Sequence, residues 1–306
     1  MKRKPAKSTA SDAACAIPAG TDAIEALRRL ALEQFRIARD STPAAIRGGS
    51  DRPLHKLRGG LRRLRMLLKL LGKLPDMDAV GAIEKRLGRV TTSLGAARDH
   101  DVLLARMRAF EKRAPGGTGR SWKQFKAHQA ALTPKLQKQV KRVLTAPRYH
   151  DVMDDTARLL QRDLVRLGRR RTAGPVEAFA ARRLRRLARR IFTTEMPDRT
   201  RANDEAVHAV RKLYRRTRYT AEFFGPLLGP QTQRWARRLK RATDALGDLR
   251  DAELALAQVA AAPGPAPRRF TATLKAERKQ ALKRTAVAIR KLQAPTACRA
   301  LLDELD

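Results

Sequence analysis

The sequence predicts an all-α protein: a tandem repeat of about six helices per copy, folding as one unit or as two pseudo-symmetric halves. Apolar residues recur at three- and four-residue spacing along most of the chain, with no competing run of alternating β-branched residues. Segment 54–71, LHKLRGGLRRLRMLLKLL, aligns without a gap on 207–224, VHAVRKLYRRTRYTAEFF, at an offset of about 153. Segment 86–105 aligns on 238–257 at an offset of about 152, and 26–35 on 183–192 at about 157. Offsets that change only between helices mark a duplication, because linkers vary in length and packed helices do not.

The elements follow in order. Residues 1–20 start basic and lack an apolar run long enough for a signal segment, so they read as a flexible basic arm, with an organelle transit peptide as the alternative in a eukaryote. The first repeat spans 21–173 and the second 174–306, with the boundary at Thr172 to Glu177. TPAAIRGGSDRP (42–53) ends the first helix, and Asp51-Arg52-Pro53 starts the second with an Asp cap, as Asn203-Asp204-Glu205 does later. GKLPDMD (72–78) separates the second helix from the third. Leu-Gly-x-x-Arg-Asp, at 94–99 and 246–251, is expected to turn the third helix into the fourth. Gly95 and Gly247 would supply backbone freedom there, and Asp99 and Asp251 would cap. APGGTGR (114–120) and APRYHD (146–151) bound the fifth helix, which Pro134 should kink or divide. TEMPDRTRAND (194–204), GPLLGPQ (225–231), AAPGPAPRR (261–269) and APT (294–296) punctuate the second copy.

Charge narrows the function. The chain carries 68 Lys plus Arg against 30 acids, a net charge of +38, which repels itself unless an anionic partner is present. A hydrophobic content of 42% with clear periodicity excludes wholesale disorder. No stretch approaches the ~18 apolar residues of a membrane span. Cys15 and Cys298 form no metal spacing or disulfide framework, which fits a reducing cytoplasm.

The second helix of each copy carries the strongest signal. At about 100° per residue, His55, Arg58, Arg62, Arg65 and Lys69 share an arc of roughly 80° opposite Leu57, Leu61, Leu64, Leu68 and Leu71. His208, Arg211, Arg215 and Arg218 repeat the arc, against Val210, Tyr214, Thr217, Ala221 and Phe224. A solvated face would mix in acids for i,i+4 pairs, yet no acid lies between 52 and 73. The stripe therefore reads as an anion-binding face, with arginine forks suited to phosphate oxygens. Lys85, Arg86 and Arg89, matched by Arg237, Arg238 and Arg241 on the third helix, read as a second wall. Arg28 and Arg29, with Arg185 and Arg186 on the first helix, either join them or face water. His100, His128 and His150 have no repeat partner and read as structural. Gly59 and Gly60 admit either close helix approach or close ligand approach.

These paired motifs resemble the conserved-histidine α-helical (CHAD) domain over roughly residues 20–305. The motifs are His55-x-x-Arg58-x-x-x-Arg62-Arg63-x-Arg65, His208-x-x-Arg211-x-x-x-Arg215-Arg216-x-Arg218 and the two Leu-Gly-x-x-Arg-Asp segments. The resemblance implies two helical bundles around a basic groove or pore. It also implies binding of inorganic polyphosphate and, for bacterial members, residence on cytoplasmic polyphosphate granules. By position it makes His55, Arg58, Arg62, Arg65, His208, Arg211, Arg215 and Arg218 the ligand-facing residues. Glu222 stands where the first copy has Lys69, which shortens the second stripe. The triphosphate tunnel domain attached in some members, with its Glu-x-Glu-x-Lys motif, is not found in this sequence.

Two other classes compete. Any protein this basic binds nucleic acid non-specifically at low salt. Aromatics, however, make up only 4% of the chain, and Trp122 and Trp235 read as core, so base stacking is poorly provided for. An enzyme would need a nucleotide loop, an HExxH motif or a nucleophile–base pair, and none is visible; a metal-dependent polyphosphate hydrolase, the less favoured alternative, could draw its acids only from the Arg-Asp segments. A metal site from Asp99, Asp101, Asp248 and Asp251 is less favoured than pairing and capping by those acids, with Arg98 and Arg250 as partners. The expectation is a binding protein with no catalytic residues, cofactor or metal; oligomeric state is not encoded in these features.

Overall fold

Apolar spacing becomes a set of helices, each with one buried face. The computed structural model describes residues 17–74, 77–113, 119–195 and 204–306. Its helices begin with α1 (Ala23–Arg47), α2 (Asp51–Leu71), α3 (Asp78–Ser93), α4 (Gly95–Arg113) and α5 (Arg120–Leu144). Next, α6 (Pro147–Arg158) passes through a π turn (Leu159–Asp163) into α7 (Leu164–Arg170). The second copy supplies α8 (Val176–Thr193), α9 (Asp204–Leu228), α10 (Pro230–Ala260), α11 (Arg268–Leu292) and α12 (Pro295–Leu305). The described residues hold no strand, and one isolated bridge pairs Asp22 with Pro175. Residues 1–16 of the expected arm, Cys15 among them, and Asn203 lie outside the described residues.

The chain divides into two units. One comprises residues up to Glu33 with Leu160–Asp244 and Ala286–Asp306. Its buried residues include Leu27 and Leu30 of α1, Phe179, Leu184 and Leu187 of α8, Tyr214 and Phe224 of α9, and Trp235 of α10. Asp22 ties the connector before α8 to the start of α1: its carboxylate accepts from Ile24 N at 2.8 Å and from Thr172 Oγ1 and Ala173 N at 2.6 Å. Glu304 of α12 accepts the Gln231 and Thr232 N–H groups at 2.9 and 2.5 Å, satisfying open donors at the start of α10.

The other unit comprises Gln34–Leu159 with Ala245–Thr285, so it mixes residues of both sequence copies. Its core has a leucine layer from α2 and an aromatic cluster. In that cluster Trp122 of α5 sits 5.1 Å from Phe110 of α4 and 5.0 Å from Phe270 of α11, centroid to centroid. Leu103, Met107, Ala255, Val259 and Leu274 complete it.

Several breaks are narrower than local sequence signals suggest. α1 runs through Pro43, and Gly48 and Gly49, at φ 73° and 80°, stop it in a conformation that L side chains rarely adopt. α9 runs through Pro226 to Leu228. Pro134 does not divide α5, because buried Trp122 and Phe125 before it and Val140 and Val143 after it anchor both halves. Ser50, and not Asp51, caps α2: its side chain accepts the Arg52 N–H at 3.3 Å, leaving Asp51 as a first-turn acid.

The expected Leu-Gly-x-x-Arg-Asp turn between the third and fourth helices is present in the first copy and is corrected in the second. Only Leu94 separates α3 from α4, and α10 continues without interruption through Leu246-Gly247. Glycine costs a helix about 1 kcal/mol, which burial of Leu246, Leu249 and Ala252 outweighs. Asp99 and Asp251 lie inside helices and cap nothing.

Candidate functional site

The α2 stripe stands on a wholly apolar foundation. Leu57, Leu61, Leu64, Leu68 and Leu71 are fully buried, which fixes the rotation of the helix and turns the cations to the other side. Gly60 marks close helix approach: a Cβ there would meet Gln34 O at 3.0 Å and Ala38 N at 3.1 Å of α1. A Cβ on Gly59 would meet nothing within 4 Å.

Along the stripe the partners change. His55 is exposed, and desolvation, followed by Arg62 and Arg98, pushes its imidazole below the usual histidine range, with Asp51 opposing. Arg58 donates from Nη1 to Thr91 O at 2.7 Å. Burial, and then the neighbouring Arg62 and Arg98 charges, lower Arg58 to about 10 although Asp99 acts the other way. Arg62 has a buried Nε with no hydrogen-bond partner. Among the described residues no carboxylate forms an ion pair with either arginine.

Farther along, Arg65 places Nε 2.9 Å and Nη2 2.7 Å from Glu84 Oε1, and Lys69 Nζ lies 3.3 Å from the same oxygen. Glu84, from α3, is only 8% exposed. Gly88 opens the space for this pair, since a Cβ would sit 2.8 Å from Arg65 Nη2. The sequence pattern showed α2 without internal acids; the structure supplies one from the neighbouring helix. One acid thus offsets part of the charge in the C-terminal half of the stripe, while Arg58 and Arg62 have no such carboxylate pair among the described residues.

The α9 stripe, in the other unit, has the same logic with different acids. Val210, Tyr214, Thr217, Ala221 and Phe224 are buried as the pattern requires. His208 is exposed, and Arg211 and Arg215 are half-buried. Arg218, the repeat partner of Arg65, donates to Glu222 Oε1 and Asp244 Oδ1 at 2.6 Å and to Thr243 Oγ1 at 3.3 Å. Ala236 occupies the repeat position of Glu84. Here the arginine is held by one acid on its own helix, Glu222, and one on the next, Asp244.

The flanking cations divide between free surface and internal pairs. Lys85 and Arg89 are exposed on α3, as are Arg237, Arg238 and Arg241 on α10 and Arg186 on α8. Arg86 pairs instead with Asp155 of α6. Arg28 and Arg29 share Glu25 at 2.6 Å, and Arg28 also reaches Leu160 O at 3.2 Å. Arg185 lies 2.5 Å from Asp306 and bonds Leu305 O.

Behind the α2 stripe, Arg98 makes a two-pronged bond to Asp251, at 2.7 and 2.9 Å, and reaches Asp99 at 3.2 Å. Asp248 lies 3.3 Å from Arg284. These acids serve as arginine partners, and no group of three or more His, Cys, Asp or Glu among the described residues could hold a metal. Asp101 is different. Burial and the Asp51 carboxylate push it up to about 6, against Arg108 and Arg98. His100 is buried with Nε2 3.0 Å from Thr133 Oγ1, a structural histidine. No described helix is long and apolar enough to cross a membrane.

A family model described as the CHAD domain matches residues 29–260. The crystal structure of the CHAD domain from the plant Ricinus communis superposes with a TM-score of 0.64 at 21% identity, covering 95% of this chain and 93% of that one. PptA from Streptomyces chartreusis superposes at 0.59 with 18% identity, covering 89% and 99%. At such identities these likenesses speak for the fold. No curated protein matches the chain.

Proposed function

The chain belongs to the CHAD domain family, and from that premise we propose that it binds inorganic polyphosphate through the cationic stripes of α2 and α9. The observation that carries the reading is the pair Arg58 and Arg62, half-buried and without a carboxylate ion pair among the described residues. Burying a cation without a counter-charge is costly, and a phosphate chain laid along the helix supplies that counter-charge. The pseudo-symmetric pairing of two bundles around a basic groove, and residence on polyphosphate granules in the cytoplasm, belong to the same proposal. So does the role of binder without catalysis.

Nucleic acid is the second reading, favoured by the net charge of +38. Against it, Trp122 and Trp235 are 4% and 2% exposed and have no free face for a base. The deciding experiment is competition of labelled long-chain polyphosphate by duplex DNA at physiological salt. The proposal expects DNA to compete poorly per phosphate; equal competition would make the site a general polyanion surface.

Chain length gives another expected result. His55 to Lys69 spans about 21 Å at 1.5 Å per residue, so pyrophosphate occupies only part of the stripe. Long chains should bind at least about a hundredfold more tightly than pyrophosphate in titration, since several charge-assisted bonds are added. Equal affinities would indicate a compact pocket instead.

The titrating groups set the pH dependence. A polyanion beside His55 raises its lowered pKa, so the complex holds more protons than the free protein and affinity rises as pH falls. Asp101 loses its negative charge near pH 6, in the same direction. Affinity for long-chain polyphosphate, whose internal phosphates stay ionised, should rise about tenfold from about pH 8 to 5.5. His55→Asn combined with Asp101→Asn should flatten that profile, and a flat wild-type profile would remove His55 from the site.

A further inference from the structure

α5 carries a second basic face that the stripes do not include. Over Arg120–Leu144 there is no acidic residue, and Arg120, Lys123, Lys135, Lys138, Lys141 and Arg142 are all exposed. At about 100° per residue these six fall within roughly a 120° arc, opposite the buried Trp122, Phe125, Val140 and Val143. Lys126, outside the arc, has an acid partner, Glu111, at 2.7 Å. Lys141 and Arg142 also suit the negative end of the helix dipole. That does not account for Lys123, Lys135 and Lys138.

The last turn of α3 links this face to the α2 stripe within one unit. Thr91 O accepts from Arg58 Nη1 at 2.7 Å, and Ser93 O, two residues on, accepts from Gln139 Nε2 at 3.4 Å. Gln139 follows Lys138 directly and lies within one turn of Lys135 and Arg142. Exposed Arg89 stands one turn before Ser93, whose Oγ donates to Arg89 O at 3.1 Å. Two residues along a helix are about 3 Å of rise, so the guanidinium of Arg58 and the flank of α5 lie on either side of one helical turn.

We infer that a polyphosphate chain longer than the α2 stripe crosses the C-terminal turn of α3 past Arg89 and continues onto Lys135, Lys138 and Arg142 of α5. This rests on the polyphosphate reading and extends it. The α2 stripe offers braced arginine forks that fix the chain in place. The α5 face offers mostly solvated lysines on flexible stems, which hold a flexible polyanion by releasing counterions and not by oriented bonds. The extension therefore adds affinity only for long chains, and adds it steeply at low salt.

The test compares wild type with the triple variant Lys135→Gln, Lys138→Gln and Arg142→Gln. The ligands are a polyphosphate oligomer no longer than the α2 stripe and a long chain, each titrated over a range of salt. Long-chain affinity should fall about tenfold and its log–log salt slope by about 2 to 3, at roughly 0.7 to 0.9 per lost phosphate contact. Oligomer affinity should not change, and Lys135→Arg with Lys138→Arg should keep wild-type behaviour. Loss for neither ligand, or equal loss for both, overturns the extension while leaving the stripe in place. Wild type that binds neither ligand overturns the polyphosphate reading itself, and the extension with it.

Discussion

Replacing Arg58, Arg62, Arg211 and Arg215 by Ala should weaken long-chain polyphosphate binding by about a hundredfold or more. Each lost charge-assisted bond is worth about 1.5–3 kcal/mol, and 1.4 kcal/mol is tenfold. Replacing Arg166, Arg169, Arg170 and Arg290, all exposed and outside the stripes, removes the same net charge and should cost only a few-fold. The comparison matters because salt dependence alone marks any cationic surface. Arg58 is oriented by Thr91 O and partly desolvated, so its fork is ready for a phosphate before one arrives. Arg65 and Arg218 are poorer probes of binding. Their guanidinium groups are already held by Glu84 and by Glu222 with Asp244, and their loss reports on stability as well as binding. Wild-type helicity and melting of both quadruple variants come first. Equal weakening by the two sets would mean that position is irrelevant and the stripe is not a site.

What the sequence made legible was everything governed by the helical period within one element. The buried faces of α2 and α9 lie where 3.6-residue spacing puts them, because the leucines and their repeat partners have no other way to leave water. Contacts between elements were not legible. Glu84 sits under Arg65 and Lys69 from the next helix, and Asp251 meets Arg98 across 153 residues of chain. No local pattern announces either.

Turn signals misled for a related reason. Pro43 and Gly247 weaken a helix locally, but buried neighbours on both sides hold α1 and α10 together, and α9 continues only two residues past Pro226. Propensity decides a boundary only where packing is indifferent. At Gly48 and Gly49 a positive φ, and not merely low propensity, ends the helix.

Trp122→Ala should destabilise the unit that carries the α2 stripe by about 3–5 kcal/mol, the usual cost of emptying a large aromatic site. The indole is 4% exposed and packed against Phe110, Phe125 and Phe270, with ring centroids 5.1, 6.1 and 5.0 Å away. These rings come from α4 and α5 of the first copy and α11 of the second, so the cavity would loosen a joint between residues of both copies. At about 2–4 °C per kcal/mol for a domain of this size, the melting point should drop by roughly 10 °C. The same variant separates the two polyanion readings. Below its melting point the folded protein should bind long-chain polyphosphate and single-stranded DNA as wild type does, because a buried ring stacks on no base. A variant that melts like wild type but selectively loses single-stranded DNA would place Trp122 at an accessible stacking surface. Nucleic acid would then displace polyphosphate as the preferred partner, since stacking contributes about 1–3 kcal/mol per base and polyphosphate has no base to stack.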